Sequence, residues 1–272
     1  MPRALHGDGS KVGSNLQIRQ QTLYRGASHK NINGTSVKDY VTHHEAFMYY
    51  NSTSNPHHLL PTSVAMIGHT DKANHQYDLT EFWAAARAGN MPAISYLKAP
   101  AYQNGHPGYS DPIDEQNYLV STINHLQRLP EWNSTAVIIA YDDSDGWYDH
   151  VMPPIVSQSG DTKHDRLLGV TGLCGTTPAG AVQDQCGYGP RVPMLVISPY
   201  AKTNFVDHSI TDQSSILRFI EDNWGLGRMG SQSFDVKAGP INNMFDFSSS
   251  GHRTGNLLLD PTTGMQNATG LK

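Results

Sequence analysis

The sequence predicts an α/β protein with a largely parallel sheet and flanking helices. Short apolar runs with the composition of buried strands occur at residues 93–97, 136–140 and 191–200. Helices are expected near residues 79–88, 114–129 and 212–224, and the last two have apolar residues at helical spacing. Because strand, helix and strand alternate along the chain, we expect mainly parallel pairing.

Capping and helix-breaking residues define the expected ends of the helices. Asp78 has the position of an N-cap for the first helix, with Glu81 three residues later, and Gly89 follows its last residue. Pro130 ends the second helix, because proline cannot continue it, and Gly225 ends the third.

Composition bounds the organisation of the chain. Its 272 residues are 38% hydrophobic and 16% charged, which suits a folded protein and excludes disorder throughout. The net charge of −5 gives no electrostatic case for a nucleic-acid partner, and no apolar run reaches the roughly 20 residues of a membrane span. We expect a poorly structured lead-in at residues 1–40, an ordered portion at 41–230 and a polar tail at 231–272.

Carboxylates cluster directly after the predicted strand at residues 136–140. Asp142 and Asp143 follow it, and Asp149 and His150 close the same turn-rich segment. Ligands of open α/β sheets bind beyond the carboxyl ends of strands, and adjacent carboxylates repel each other unless a cation or proton lies between them. The aspartate pair therefore predicts a metal site at this strand end.

Histidine is abundant, with 14 copies, several of them in clusters. His43 and His44 precede an aromatic segment, and His106 lies in a Gly-His-Pro loop after a strand. Phosphoryl transfer needs positive charge near the phosphoryl oxygens and an acid for the leaving group, and imidazole can supply both. Solvated turns are the alternative interpretation of the same pattern. The sequence assigns no role to His57, His58, His69 and His75.

Several segments, in this order, resemble one known family. They are Asn-Pro-His-His (residues 55–58), Ala-Asn-His-Gln-Tyr-Asp-Leu (73–79), Gly-His-Pro-Gly-Tyr-Ser-Asp-Pro (105–112), Tyr-Asp-Asp through Trp-Tyr-Asp-His-Val (141–151), Cys-Gly-Tyr-Gly-Pro-Arg-Val-Pro (186–193) and the helix at 212–224. The family is that of the phosphoesterases that include bacterial phospholipases C and acid phosphatases. The resemblance, over residues 40–225, implies an alkaline-phosphatase-like α/β fold.

The resemblance implies roles for the acidic segment. Asp142 and Asp143 match two ligands of the family's single catalytic metal ion. An oxygen-rich shell suits one divalent hard cation, with calcium favoured. Asp149 and His150 match a family motif that is expected to support the metal loop.

The histidines match the phosphate side of the family's site. His43 and His44 match a pair at the substrate phosphate, and His106 matches a histidine that contacts the phosphate or acts as the acid. His44 is the alternative acid. The implied function is metal-assisted hydrolysis of a phosphoric ester, in a phospholipid or another phosphoester, of the phospholipase C or acid phosphatase type. Diesters and monoesters are both open.

The N-terminal part of the family's pattern is not found in this sequence. Family members begin with a strand ending in Glu-Asn, which adds two metal ligands, and carry a Ser or Thr nucleophile before the His-His pair. No Glu-Asn dipeptide occurs here, and the first glutamate, Glu45, follows His44. We therefore expect an N-terminally truncated enzyme. The alternative function is an inactive fragment that binds an anion or a partner, and a sulfatase-like activity is disfavoured because no Cys-x-Pro-x-Arg segment occurs.

The two cysteines, Cys174 and Cys186, flank a loop rich in Gly, Thr, Pro and Ala. A disulfide that closes this loop is expected in an exported protein, and two reduced thiols are the alternative. The family implies a secreted or periplasmic location, although the first residues of this sequence do not form the apolar core of a signal peptide.

Alkylation tests the Cys174–Cys186 disulfide. We expect neither thiol of the denatured, unreduced protein to react with iodoacetamide, and both to react after reduction, as read from the intact mass. Because the bond restricts the unfolded chain, its reduction should lower the free energy of unfolding by about 3 kcal/mol, the value for a loop of roughly this length. Alkylation of both thiols before reduction would contradict the pairing.

Overall fold

A computed structural model describes residues 16–19, 27–44, 46–144, 149–151, 153–154, 188–230, 233–248 and 255–266. The chain divides into two compact units, one formed by Met1–Thr135 with Arg253–Lys272 and the other by Ala136–His252. Small sheets and helices are mixed, which is compatible with the predicted α/β class.

The regular elements follow one another in short segments. The strands are β1 Leu16–Arg19, β2 Ser28–Lys30, β3 Ser36–Lys38, β4 Gln76–Tyr77, β5 Ile94–Leu97, β6 Val137–Ala140 and β7 Met194–Ile197. The helices are α1 Leu79–Arg87, α2 Pro112–Leu126 and α3 Ser214–Trp224. All three predicted helices are confirmed, and so are the strands predicted from the apolar runs.

The first unit contains a three-stranded parallel sheet in the order β4-β1-β5. Helix α1 connects β4 to β5, and Ala85 on this helix joins a buried cluster with Ile67, Ala73 and Tyr77. The backbone N–H of Asp78 donates to the Glu81 carboxylate at 2.9 Å, so the predicted cap begins α1. Helix α1 therefore forms with its predicted cap, whereas the sequence predicted only β5 among the three strands of this sheet.

Helix α2 begins two residues before its predicted start because Asp111 caps it. The Asp111 carboxylate accepts from the backbone N–H of Ile113 at 3.1 Å, and the Asp111 N–H donates to the Asp114 carboxylate at 2.9 Å. Pro112 occupies the first helical turn, where no intrahelical N–H donor is needed. These reciprocal bonds satisfy N–H groups that the helix itself leaves free.

In the second unit, the observed strand pairing differs from the expected parallel pairing. Strand β6 pairs with β7 in antiparallel register, with Val137 opposite Ile197 and Ala140 opposite Met194. Strands β5 and β6 belong to different sheets, so the prediction of parallel pairing is wrong for β6. An antiparallel neighbour needs no crossover helix, and the order of elements along the chain cannot exclude it.

The prediction of a poorly structured lead-in is wrong for the described residues before 41. Strand β1 is the central strand of the first sheet, and β2 and β3 form an antiparallel hairpin with Ser28 opposite Lys38. Asn33 and Gly34 lie in the connection, and Gly34 has a φ of +82°. Glycine adopts this backbone conformation without steric cost, which allows the connection between the two strands to close.

The prediction of a loose polar tail is also wrong for its described part. The Asn124 amide donates to the carbonyl of Leu259 at 2.7 Å and accepts from its N–H at 3.1 Å. Gln127 forms the same pair of bonds with Leu257, each at 2.8 Å. The part of the tail that belongs to the second unit also packs, since its residue Ile241 is fully buried. Polar side chains thus satisfy the backbone of this segment as a strand neighbour would.

Within these described ranges, no helix combines the length and the apolar character that crossing a bilayer requires.

Phe82→Ala tests the core of the first unit. The Phe82 side chain is 2% exposed, so its truncation should leave a cavity and lower the free energy of unfolding by about 3–5 kcal/mol in a urea titration. Thr80→Ala on the exposed side of the same helix is the control and should change it by about 0.5 kcal/mol or less. Equal effects of the two substitutions would contradict this placement of Phe82.

Candidate functional site

A cavity of about 700 Å³ lies in the first unit. The β2–β3 hairpin, the segment that carries His43 and the loop that carries His106 all contribute to its wall. The lining residues that matter for its chemistry are Ser36, Lys38, Thr42, His43, Gly108 and Tyr109. The fold therefore brings together His43 and the Gly-His-Pro loop, which lie far apart in the sequence.

His43 and His44 lie in one turn of 3-10 helix, Thr42–His44. The His43 side chain is exposed and that of His44 is half-buried, with the two rings 4.6 Å apart and nearly perpendicular. The next turn carries Phe47, whose ring packs on Tyr96 of β5 at 5.7 Å. The aromatic segment thus anchors the histidine pair against the first unit.

The loop around His106 is held in a defined shape. The N–H of Gly105 donates to the Ser110 hydroxyl at 2.7 Å, and a side chain at Gly105 would meet Glu115 at 2.6 Å. His106 Nδ1 lies 2.6 Å from the carbonyl oxygen of Pro107. Because a carbonyl can only accept, Nδ1 carries the hydrogen in this contact. The His106 ring is exposed.

The hairpin tip is bound to this same loop. The Asn31 amide donates to the carbonyl of Tyr109 at 3.1 Å. The N–H of Ile32 donates to the carboxylate of Asp114 at 2.9 Å, and Asp114 also belongs to the cap of α2. Sequence reasoning missed this hairpin, for which the Asn33-Gly34 dipeptide was the available turn signal.

Sequence reasoning also missed a histidine–carboxylate pair at the base of the hairpin. Asp39 is fully buried, and both of its carboxylate oxygens lie 2.8 Å from His29 Nδ1. The His29 ring stacks on Tyr102 at 4.9 Å. Burial is the main cause that raises the pKa of Tyr102, and the nearby carboxylate of Asp39 is the second. The pair satisfies a buried charge and joins the hairpin to the segment at residues 101–103.

Asp142 and Asp143 follow β6, as predicted, with exposed side chains. The Gln213 amide donates to the carbonyls of Tyr141 and Asp142 at 2.8 Å and 2.7 Å, which fixes this turn beside the start of α3. Across the described part of the chain, no three His, Cys, Asp or Glu side chains are placed to hold a metal ion. The aspartate pair therefore supplies two carboxylates and not a complete metal shell.

Asp149 contacts Arg191 rather than the aspartate pair. Its carboxylate accepts from the Arg191 guanidinium at 2.7 Å and 2.8 Å and from the Arg191 backbone N–H at 3.0 Å. These bonds hold the pKa of Asp149 well below its usual range. His150 is exposed. The predicted disulfide partners, Cys174 and Cys186, lie outside the described residues.

His75, to which the sequence gave no role, is a buried structural histidine. It is 8% exposed, and its Nε2 lies 3.2 Å from the Thr70 hydroxyl. Burial, followed by the nearby His69, lowers the pKa of His75. The neutral imidazole therefore suits its place in the core of the first unit.

Comparison with known protein families identifies the family to which this chain belongs. A sequence model described as "Phosphoesterase family" matches residues 9–227. The chain belongs to the phosphoesterase family. The match begins inside the expected lead-in, in agreement with the strands found there.

The similar members of the phosphoesterase family include proteins named phospholipase C. The non-hemolytic phospholipase C of Pseudomonas aeruginosa is 36% identical over 146 residues, 51% of this chain and 21% of the relative. Phospholipase C A of Mycobacterium tuberculosis is 26% identical over 185 residues, 68% of this chain and 35% of the relative. Non-specific phospholipase C3 of Arabidopsis thaliana is 30% identical over 142 residues, 49% of this chain and 24% of the relative. The chain thus spans about a third or less of the length of these relatives.

Asp149→Asn tests the contact with Arg191 through its pH dependence. Because the folded state lowers the pKa of Asp149, the carboxylate stabilises the fold above the ordinary value of 3.8 and loses that effect as the pH falls below it. The melting temperature of the wild type should exceed that of the variant at neutral pH, and the difference should shrink in acid. A difference that does not change with pH would contradict the ion pair.

Proposed function

We propose that this chain is part of a hydrolase that acts on phosphoric ester bonds, of the phospholipase C or acid phosphatase type. The observation that carries the proposal is the cavity that His43 shares with the loop of His106, inside the region matched by the phosphoesterase family. The relatives named phospholipase C favour a phospholipid or a similar phosphoester as substrate. An alkaline-phosphatase-like fold with a largely parallel sheet is part of the same proposal.

The proposed roles of the histidines follow from their surroundings. His43 and His44 bind the non-bridging oxygens of the phosphoryl group, since they lie side by side and His43 lines the cavity. The imidazolium form of His106 donates its Nε2 proton to the leaving oxygen, while its Nδ1–H stays bound to the carbonyl of Pro107. His44 is the alternative acid.

The proposed metal side consists of Asp142 and Asp143. They would hold one divalent hard cation, with calcium favoured, together with ligands that the described residues do not supply. When bound, such an ion supplies positive charge of the kind that phosphoryl transfer requires. Asp149, through its contact with Arg191, and His150 are proposed to support this segment. A secreted or periplasmic location belongs to the same proposal.

Hydrolysis assays with added divalent metal test the proposed function. The substrates are p-nitrophenyl phosphate, a monoester, and p-nitrophenyl phosphorylcholine, a diester. His106→Asn should lower kcat by about 10²–10⁴-fold because it removes the general acid. His208→Asn, at an exposed histidine of the second unit, is the control and should leave kcat unchanged.

The metal ligands are tested separately. Asp142→Asn should abolish both turnover and the binding of calcium measured by calorimetry, since it removes one charged ligand. Phosphate binding without turnover of either substrate would favour the second candidate, an anion-binding fragment without catalysis. Neither turnover nor phosphate binding by the wild-type chain would contradict both functions.

A further inference from the structure

We propose that Lys38 is a phosphate-binding residue of the cavity, and that the β2–β3 hairpin is the wall that recognises the phosphoryl group of the substrate. The inference rests on the proposed function, because the cavity is the one that His43 and the loop of His106 share. Its chemical class of ligand is a phosphate group carried by a monoester or a diester. Three features of the hairpin support this role.

The first feature is the register of β3. Exposure alternates along Ser36, Val37 and Lys38, and Val37 is 9% exposed while Asp39 is fully buried. Val37 and Asp39 therefore anchor one face of the strand, and Ser36 and Lys38 occupy the other. A shift of one residue would bury Lys38 and expose Asp39, so the buried pair determines on which face the cation lies.

The second feature is the charge of Lys38, which no described carboxylate neutralises. No aspartate or glutamate belongs to the described lining of the cavity. The neighbouring carboxylate, Asp39, is buried and bound to His29. Among the described residues, Lys38 forms no ion pair. Lysine binds phosphate as a point charge, and His43 and Thr42 on the same lining add further polar groups.

The third feature is the way in which the hairpin is held. At its base, the backbone N–H of Asp39 donates to Ala27 and its carbonyl accepts from Ala101, each at 3.0 Å. At its tip, Asn31 contacts the carbonyl of Tyr109 in the loop of His106. Lys38 and the His106 loop are therefore positioned by connected contacts, which reduces the entropy lost when a ligand is bound.

Phosphate binding to the full chain tests the inference. The ligands are inorganic phosphate and sn-glycero-3-phosphocholine, a soluble diester, and the readout is the histidine side-chain resonances in NMR titrations. Lys38→Met keeps the aliphatic stem and removes the charge, so it should weaken phosphate binding by about tenfold or more and reduce its dependence on salt. A circular-dichroism melt verifies that the variant is folded.

Lys72→Met is the control. Lys72 is an exposed lysine of the same unit that lies outside the hairpin and does not line the cavity. Its substitution should leave phosphate affinity unchanged. Equal losses for Lys72→Met and Lys38→Met, or no loss for Lys38→Met, would overturn the inference.

Two further comparisons separate the inference from the proposed function. Binding that depends on Lys38 without turnover of any ester supports the inference and contradicts the proposed hydrolase. Turnover by the wild type, with unchanged phosphate affinity in Lys38→Met, supports the proposed hydrolase and contradicts the inference. Absence of phosphate binding by the wild type also overturns the inference. A loss confined to inorganic phosphate supports a monoester as the ligand, and a loss with both ligands supports a diester headgroup.

Discussion

The candidate site depends on the contact between the buried carboxylate of Asp39 and the ring of His29. Burying an ionised carboxylate without partners is strongly unfavourable, so its place in the fold requires the bonds from His29. The backbone of the same residue contacts Ala27 and Ala101. One residue thereby closes the base of the β2–β3 hairpin and joins it to the segment at residues 101–103. The wall of the cavity follows from that closure.

Each unit supplies a different kind of chemistry. The first contains the His43 imidazole and the Lys38 ammonium group on the cavity lining, which suit a phosphate group. The second contains adjacent exposed carboxylates, Asp142 and Asp143, on a turn fixed by Gln213. Such carboxylates suit a hard cation. Both groups of residues lie within the region that the phosphoesterase family matches.

Polar side chains form many of the contacts that hold the described elements of this protein together. Asn124 and Gln127 on α2 bind the backbone at Leu259 and Leu257, and Asp114 joins the hairpin to the cap of α2. In the second unit, burial raises the pKa of Glu221, whose carboxylate accepts from Arg228 at 3.1 Å. Segments with few apolar residues are consequently packed, because their hydrogen bonds are satisfied within the fold. This explains why a polar composition misled the expectations for the described residues before 41 and after 230.

The sequence by itself determined the local features of this protein. Caps and breakers such as Asp78 and Gly225, together with apolar spacing, specify the helices through contacts within a few residues, and the motif order specifies the family. Only the tertiary structure decided that β6 pairs antiparallel, that Asp39 meets His29, and that His43 shares a cavity with the loop of His106. These are contacts between segments distant in sequence. They depend on which surfaces bury each other best, and local propensity carries no information about that choice.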